Sequence, residues 1–300
     1  MNAFGMITSL RKRINNLLYK WPFTVCLLFS LTLIYSSSAF SAESAASAGP
    51  KRVLFVLAHP DDEILIAARM KQDIASGNIV DVIWLTRGDK AGDPVVRETE
   101  SRAAMAFLGV PDASLHFLDF KDSETYTTLR EAYLKVLEKA KALKPDMIFS
   151  DAWEGGNIDH DAANFTAEMT SRALQNHPVH YEFPLYNSYK DTYQVGKLIP
   201  RAGVETLYTP IDDAMVQVKL KILDMYPSQS SLLNVMKRLV SPSQLKKKGE
   251  PYRLTPKYDY KTPPTEGKLG YELGQNRHPH SFAEFREAVE AFEKAERNGK

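Results

Sequence analysis

The sequence contains almost no cysteine, and this limits the chemistry that the chain can carry out. Its 300 residues include a single cysteine, Cys26, which lies in an apolar stretch near the N-terminus. If that stretch is removed, no thiol remains to act as a nucleophile, to bind a metal or to form a disulfide. A catalytic site in the remaining chain must therefore use other groups, such as imidazoles and carboxylates.

Several features of other protein classes are also missing. The sequence has no glycine-rich phosphate-binding loop and no internal repeat, and its formal net charge is only +1. The densest basic run is the lysine triplet 246–248, which is typical of a solvated loop. We therefore expect no nucleic-acid partner.

The apolar run near the N-terminus is too short for an ordinary membrane span, which needs about 20 apolar residues. It covers residues 23–35, follows four basic residues and precedes a stretch rich in small residues, with plausible cleavage positions at 39–42. This pattern predicts a signal peptide over residues 1–42, followed by a flexible lead-in over 43–50. We expect a secreted or periplasmic protein without a stable membrane span in its mature chain. An uncleaved N-terminal anchor is the alternative.

Strand and helix patterns alternate four times after the lead-in. Apolar runs predict strands at 53–57, 79–86, 115–120 and 147–150, and helical spacing follows each of them. Such alternation predicts an α/β fold with a Rossmann-like, mostly parallel sheet and helices on both faces. We assign the core to residues 51–235. Residues 236–300 form a loop-rich C-terminal extension packed on the core, because 241–274 show no clear period and a charged helix begins at Phe282.

Polar clusters follow two of the predicted strands. His59, Asp61 and Asp62 come after the first strand, and Asp159 and His160 come after the fourth. If these strands are neighbours, two imidazoles and a carboxylate can hold a zinc ion with one position left open, as in catalytic sites. A further carboxylate would then be free for proton transfer. Taken singly, each cluster could equally be a turn or a hydrogen-bonded core histidine.

The residues of these clusters also carry a resemblance to a known family. The string Ala58-His59-Pro60-Asp61-Asp62-Glu63, with Asp159-His160 downstream, resembles the PIG-L and LmbE-like zinc-dependent N-acetylglucosamine deacetylases. Weaker matches extend the resemblance over residues 51–233, among them Thr86-Arg87-Gly88 and Tyr226-Pro227-Ser228-Gln229.

The resemblance implies a role for each residue of the site. His59, Asp62 and His160 would bind zinc, although Fe²⁺ or another divalent metal could replace it. Asp61 would be the general base for a metal-bound water, and Asp159 would orient an imidazole or position its loop.

Asn157 departs from the family pattern, in which a histidine often stands three residues before the last metal ligand. An asparagine can donate a hydrogen bond to an oxyanion but cannot carry a proton. We therefore predict that Asn157 assists catalysis as a neutral donor and that turnover is lower than with histidine. Three further residues are candidates for binding the sugar: Arg87, Trp153 and Tyr186.

The sequence thus predicts an exported zinc-dependent hydrolase that removes the acetyl group from an N-acetylglucosamine-type saccharide, glycolipid or envelope glycan. Two alternatives stay open at this point. One is a zinc amidase that acts on a non-sugar amide. The other is a glycan- or metal-binding protein that has lost turnover because of Asn157.

Overall fold

The computed structural model describes residues 49–230, 242–273 and 280–299. The predicted signal peptide, most of the lead-in and the predicted junction at residue 235 lie outside these residues. Among the helices of the described part, none combines the length and the apolar character that crossing a membrane would require.

A seven-stranded sheet forms the centre of the described structure. Its first five strands along the chain are parallel: β1 Arg52–Leu57, β2 Ile79–Thr86, β3 Leu115–Phe120, β4 Met147–Asp151 and β5 Val179–Phe183. A separate hairpin contains β6 (Tyr186–Asn187) and β7 (Gln194–Val195). The strands β8 (Leu207–Thr209) and β9 (Glu250–Leu254) complete one edge of the large sheet, whose order is β3-β2-β1-β4-β5-β9-β8.

Helices cover both faces of this sheet. They are α1 Ala67–Ala75, α2 Pro94–Leu108, α3 Leu129–Leu143, α4 Ile158–Ala173, α5 Asp213–Leu223, α6 Pro242–Lys248 and α7 Phe282–Asn298. Side chains alternate between the faces of a strand, so Leu54 and Val56 pack with α3, α4 and α7, whereas Phe55 and Leu57 pack with α1, α2 and α5. The predicted fold class is confirmed. Burial on both faces explains why β1 is a continuous apolar run.

From the sequence we expected a C-terminal extension that packs on the core. The structure shows that the extension also contributes a strand to the central sheet. Its segment Glu250–Leu254 forms β9, which pairs antiparallel with β5 and with β8 and so joins them into one sheet. The strand contains a proline and the buried Arg253, so it shows no apolar alternation. Arg253 is tolerated there because its guanidinium pairs with the buried carboxylate of Glu182 at 2.6 Å.

Candidate active site

The two polar clusters meet because β1 and β4 are hydrogen-bonded neighbours whose carboxyl ends lie at the same edge of the sheet. His59 and Asp62 occupy a tight turn directly after β1. The backbone N–H of Asp62 donates to the carbonyl of His59 at 3.2 Å, and the N–H of His59 donates to the Asp62 carboxylate at 2.7 Å. This turn directs the Asp62 side chain towards α4, which begins beside His160.

His59, Asp62 and His160 form a buried group that fits a metal ion. Their nitrogen and oxygen atoms lie within 4.8 Å of one another. Nδ1 of His59 is 3.4 Å from Oδ2 of Asp62, and Nε2 of His160 is 3.4 Å from Oδ1 of the same carboxylate. A tetrahedral zinc site with bonds of 2.0–2.2 Å holds its donor atoms about 3.4 Å apart. The donor set and its spacing therefore suit zinc.

The electrostatics of this group also favour a cation. Burial alone would raise the pKa of Asp62, but the imidazoles of His160 and His59 hold that pKa well below its usual range. Burial would likewise lower the pKa of His59, but the carboxylates of Asp122 and Asp62 raise it well above its usual value. The site thus stabilises positive charge on the imidazole, and a metal ion bound there would take the place of a proton.

Two carboxylates face the other nitrogen of His59. Its Nε2 lies 3.3 Å from Oδ2 of Asp159 and 3.5 Å from Oδ1 of Asp122. Asp159 is itself held by the backbone N–H groups of Ser123 and Thr125. A histidine that binds a metal usually donates its second ring N–H to such a carboxylate, which fixes the ring. Asp122 was not predicted, although its place after β3 follows the same rule as the other site residues.

Asp61 lies beside the three metal-binding candidates in a strained turn. Its φ of 114° is uncommon for a residue with a side chain and marks a constrained site. The backbone N–H of Asp61 donates to Glu63 at 2.9 Å, and Arg97 holds its carboxylate at 3.0 Å. Burial raises the pKa of Asp61 to about 7, although the charge of Arg97 opposes the rise. A pKa near neutrality suits a general base.

The carboxylate of Glu63 braces the same turn from within the core. It accepts hydrogen bonds from the hydroxyl of Tyr226 and from the indole N–H of Trp84, the latter at 3.1 Å. Tyr226 belongs to the segment 226–229 that supported the family resemblance. This segment therefore supports the turn that carries Asp61.

Asn157 is the N-cap of α4 and also contacts the β6 hairpin. Its Oδ1 accepts the backbone N–H of Asp159 at 2.9 Å, and its Nδ2 donates to the hydroxyl of Tyr186 at 3.2 Å. The ring of Tyr186 stands edge-on to the imidazole of His160, with centroids 5.1 Å apart. Burial raises the pKa of Tyr186 well above its usual value, so its hydroxyl keeps its proton at neutral pH.

The loop before Asn157 is held by backbone contacts from two later segments. A Cβ on Gly156 would lie 1.8 Å from the carbonyl oxygen of Tyr186, so only glycine permits this approach. From the C-terminal extension, the N–H of Gly270 donates to the carbonyl of Gly155 at 2.7 Å. The loop is thus fixed between the β6 hairpin and the extension.

The two other residues predicted to bind sugar have different surroundings. The side chain of Arg87 is 42% exposed and pairs with Asp89 at 3.2 Å, so its contact with a substrate stays a prediction. Trp153 is 1% exposed and packs in the core against four aromatic rings, those of Tyr258, Tyr260, Phe282 and Phe285. A stacking role for Trp153 does not fit this position, because no face of its ring is open to a sugar.

Comparison with known proteins gives one family match. Residues 54–171 match the model of the family PIG-L, described as GlcNAc-PI de-N-acetylase. The matched segment begins in β1 and ends in α4, and it contains all the metal-binding candidates found among the described residues. No curated protein matches the chain.

Solved structures share the fold at low sequence identity. A teicoplanin deacetylase is 16% identical over 69% of this chain and 99% of its own, with a TM-score of 0.55. The N,N'-diacetylchitobiose deacetylase from Pyrococcus horikoshii is 18% identical over 69% of this chain and 84% of its own, with a TM-score of 0.52. The conserved protein TT1542 from Thermus thermophilus is 21% identical over 69% and 95%, with a TM-score of 0.51.

Proposed function

Because residues 54–171 match the PIG-L family, we propose that the protein is a metal-dependent N-deacetylase that acts on an N-acetylglucosamine-type saccharide. The observation that carries this proposal is the convergence of His59, Asp62 and His160 beside a fourth, separately held carboxylate, Asp61. An ordinary turn or a hydrogen-bonded core histidine does not require three buried polar side chains and a partly buried carboxylate to converge in this way. The names of two solved relatives, a teicoplanin deacetylase and a diacetylchitobiose deacetylase, support the same reaction.

Zinc is the proposed metal, because two imidazoles and one carboxylate are a common catalytic zinc set. A divalent ion there supplies a Lewis acid that polarises the amide carbonyl and lowers the pKa of water to about 7. The same donor set also accepts Fe²⁺, so the metal in the cell has to be measured. Asp122 and Asp159 keep the His59 ring in place by holding its second nitrogen.

Asp61 is the proposed general base. It accepts a proton from the attacking water and returns it to the sugar nitrogen as the amide C–N bond breaks. Arg97 fixes the direction of this carboxylate through its ion pair at 3.0 Å. The pKa of about 7 lets Asp61 accept and release a proton near neutral pH. We also propose that the protein is exported, because residues 1–42 have the pattern of a signal peptide. N-terminal sequencing of the mature protein tests this by showing whether these residues have been removed.

The test is acetate release by the zinc-loaded protein from N-acetylglucosamine and N,N'-diacetylchitobiose. We expect Asp61→Asn to lower kcat by about 10²–10⁴-fold, because an amide cannot accept the proton, while bound zinc measured by mass spectrometry stays at one ion per chain. Asp112→Asn, an exposed carboxylate after α2, is the matched control and should leave activity unchanged. Bound zinc without acetate release from any amino sugar would contradict the proposal and favour a binding protein.

A further inference from the structure

The hydroxyl of Tyr186 accepts a hydrogen bond from Asn157, and its own proton stays available for donation. Asn157 accepts the backbone N–H of Asp159 through Oδ1, which places its amide nitrogen towards Tyr186. That nitrogen can only donate, so the phenol oxygen is the acceptor in their 3.2 Å hydrogen bond. Among the described residues, we find no acceptor bonded to the phenol proton itself. Tyr186 therefore has a proton to donate to a molecule that enters the site.

The position of Tyr186 is fixed by its neighbours on two sides. Its ring meets the imidazole of His160 edge-on at 5.1 Å and an interplanar angle of 68°. Its carbonyl is packed against Gly156 so closely that a Cβ there would lie 1.8 Å from the oxygen. A side chain held in this way loses little further freedom when it forms a hydrogen bond, which is what a preorganised donor requires.

Asn157 itself is already engaged at both ends of its amide. The oxygen caps α4, and the nitrogen holds the phenol. The second N–H of that amide and the phenol proton are both unused in the described structure, but the phenol belongs to the ring that contacts the metal-binding candidate His160. This differs from the expectation from the sequence, in which the amide of Asn157 was itself the donor.

We propose that the hydroxyl of Tyr186 donates a hydrogen bond to the acetamide carbonyl oxygen of the substrate, and that Asn157 is the residue that positions it. This inference rests on the proposed deacetylase function. Water adds to the carbonyl carbon, the electrons of the C=O double bond move to the oxygen, and Asp61 takes the water proton. Tyr186 keeps its own proton throughout. Its bond to the oxygen strengthens as negative charge develops, and the charge is withdrawn again when the C–N bond breaks.

The experiment compares Tyr186→Phe with Tyr193→Phe in the full-length, zinc-loaded protein. Tyr193 belongs to the same hairpin, its ring centroid is 6.0 Å from that of Tyr186, and it makes no hydrogen bond to Asn157. We expect Tyr186→Phe to lower kcat by about 10²–10³-fold with little change in KM, as for the loss of other oxyanion donors. Tyr193→Phe should keep the wild-type kcat, and zinc content should be equal in all three proteins.

A second readout uses binding and requires no turnover. The probe is an N-methylphosphonyl analogue of glucosamine, whose tetrahedral phosphorus carries an anionic oxygen in place of the carbonyl oxygen. Its inhibition constant should rise in Tyr186→Phe by a factor similar to the loss in kcat, whereas binding of the product amine should not change. A tyrosine with a purely structural role would not produce this selective loss.

The positioning role of Asn157 is tested with Asn157→Ser, which keeps an N-cap oxygen but is too short to reach the phenol. We expect a loss of kcat in the same direction as for Tyr186→Phe, and no further loss when the two changes are combined. If the wild type is active and Tyr186→Phe has the same kcat, the donor role is wrong but the proposed function stands. A wild type that binds zinc but releases no acetate would contradict the proposed function and the donor role together.

Discussion

At the scale of single residues, the ion pair between Asp61 and Arg97 controls the proton chemistry of the site. Burial pushes the pKa of Asp61 upwards and the guanidinium pushes it down, with a result of about 7. Arg97 is also held by the carbonyls of Pro60 and Gly88, so its charge cannot move away from the carboxylate. If Asp61 is the base, as we propose, the pH range in which it can act depends on Arg97.

This dependence gives a pH prediction with a definite sign. Asp61 acts as a base only when deprotonated, so kcat/KM falls as the pH falls through its pKa. Replacing Arg97 by glutamine removes the charge that lowers this pKa, and the acid limb of the profile should move to higher pH by about one unit or more. The measurement is kcat/KM against pH for wild type and Arg97→Gln.

The control for this experiment is Arg102→Gln. Arg102 lies on the same helix, but it is partly exposed and pairs with Glu98 and Asp112 rather than with Asp61. Its profile should match the wild type. An acid limb that stays in place in Arg97→Gln, or moves equally in both variants, would show that Arg97 does not set the pKa of the base.

The sequence predicted part of this site because strand ends are visible in a sequence. His59, Asp62 and His160 each follow an apolar run, and parallel strands bring such positions to one edge. The contact between Asn157 and Tyr186 could not be predicted, because it depends on where the chain passes after β5. The structure shows that contact at 3.2 Å between residues that are 29 positions apart.

At the scale of structural elements, the glycine-containing loop between β4 and α4 leaves no room for a side chain at Gly156. The carbonyl of Tyr186 approaches Gly156 so closely that any side chain there would collide with backbone. Backbone atoms cannot move aside as a flexible side chain can. The loop and the β6 hairpin must therefore shift together if Gly156 is replaced.

We expect Gly156→Ala to lower the free energy of unfolding by about 1–3 kcal/mol, as for other overpacked sites, and to lower kcat because Tyr186 moves. Gly92→Ala is the matched control: its Cβ would meet Gln229 at 3.5 Å, an ordinary contact distance. Urea unfolding of both variants measures the difference. Equal stabilities would show that the loop yields more easily than the backbone contact indicates.

The strand β9 shows why the extension was harder to predict than the core. The strands β1, β2 and β4 are apolar because helices cover both of their faces, and this gives a clear signal. The strand β9 instead contains Pro251 and a buried arginine. Its place in the sheet depends on pairing with Glu182 and on β8, both distant in sequence, so no local pattern reveals it.

At the scale of the whole molecule, the buried ion pair between Arg253 and Glu182 joins the extension to the core. Glu182 also accepts hydrogen bonds from Tyr258 at 2.6 Å and from Asn164 at 2.9 Å. The carboxylate thus connects β5, β9 and α4. Loss of one partner would leave the other charge buried without its counter-ion, which is costly.

We therefore expect Arg253→Met to lower the free energy of unfolding by about 3–5 kcal/mol. The double variant Arg253→Met/Glu182→Gln should recover part of this loss, because the unpaired charge is gone. Arg286→Met on the exposed face of α7 is the control and should change stability by less than about 0.5 kcal/mol. Chemical denaturation compares the four proteins, and a double variant no more stable than Arg253→Met would contradict the charge argument.

The hydrogen bond from Gly270 to the carbonyl of Gly155 joins two residues that are synthesised at different times. During translation the loop before Asn157 leaves the ribosome early, and the residue that completes its backbone contacts leaves much later. A nascent chain released before Gly270 would contain every metal-binding candidate but would lack this last support of the loop. Residues that follow the family match therefore complete the surroundings of the candidate site, and a chain that stops before Gly270 would differ there from the longer protein.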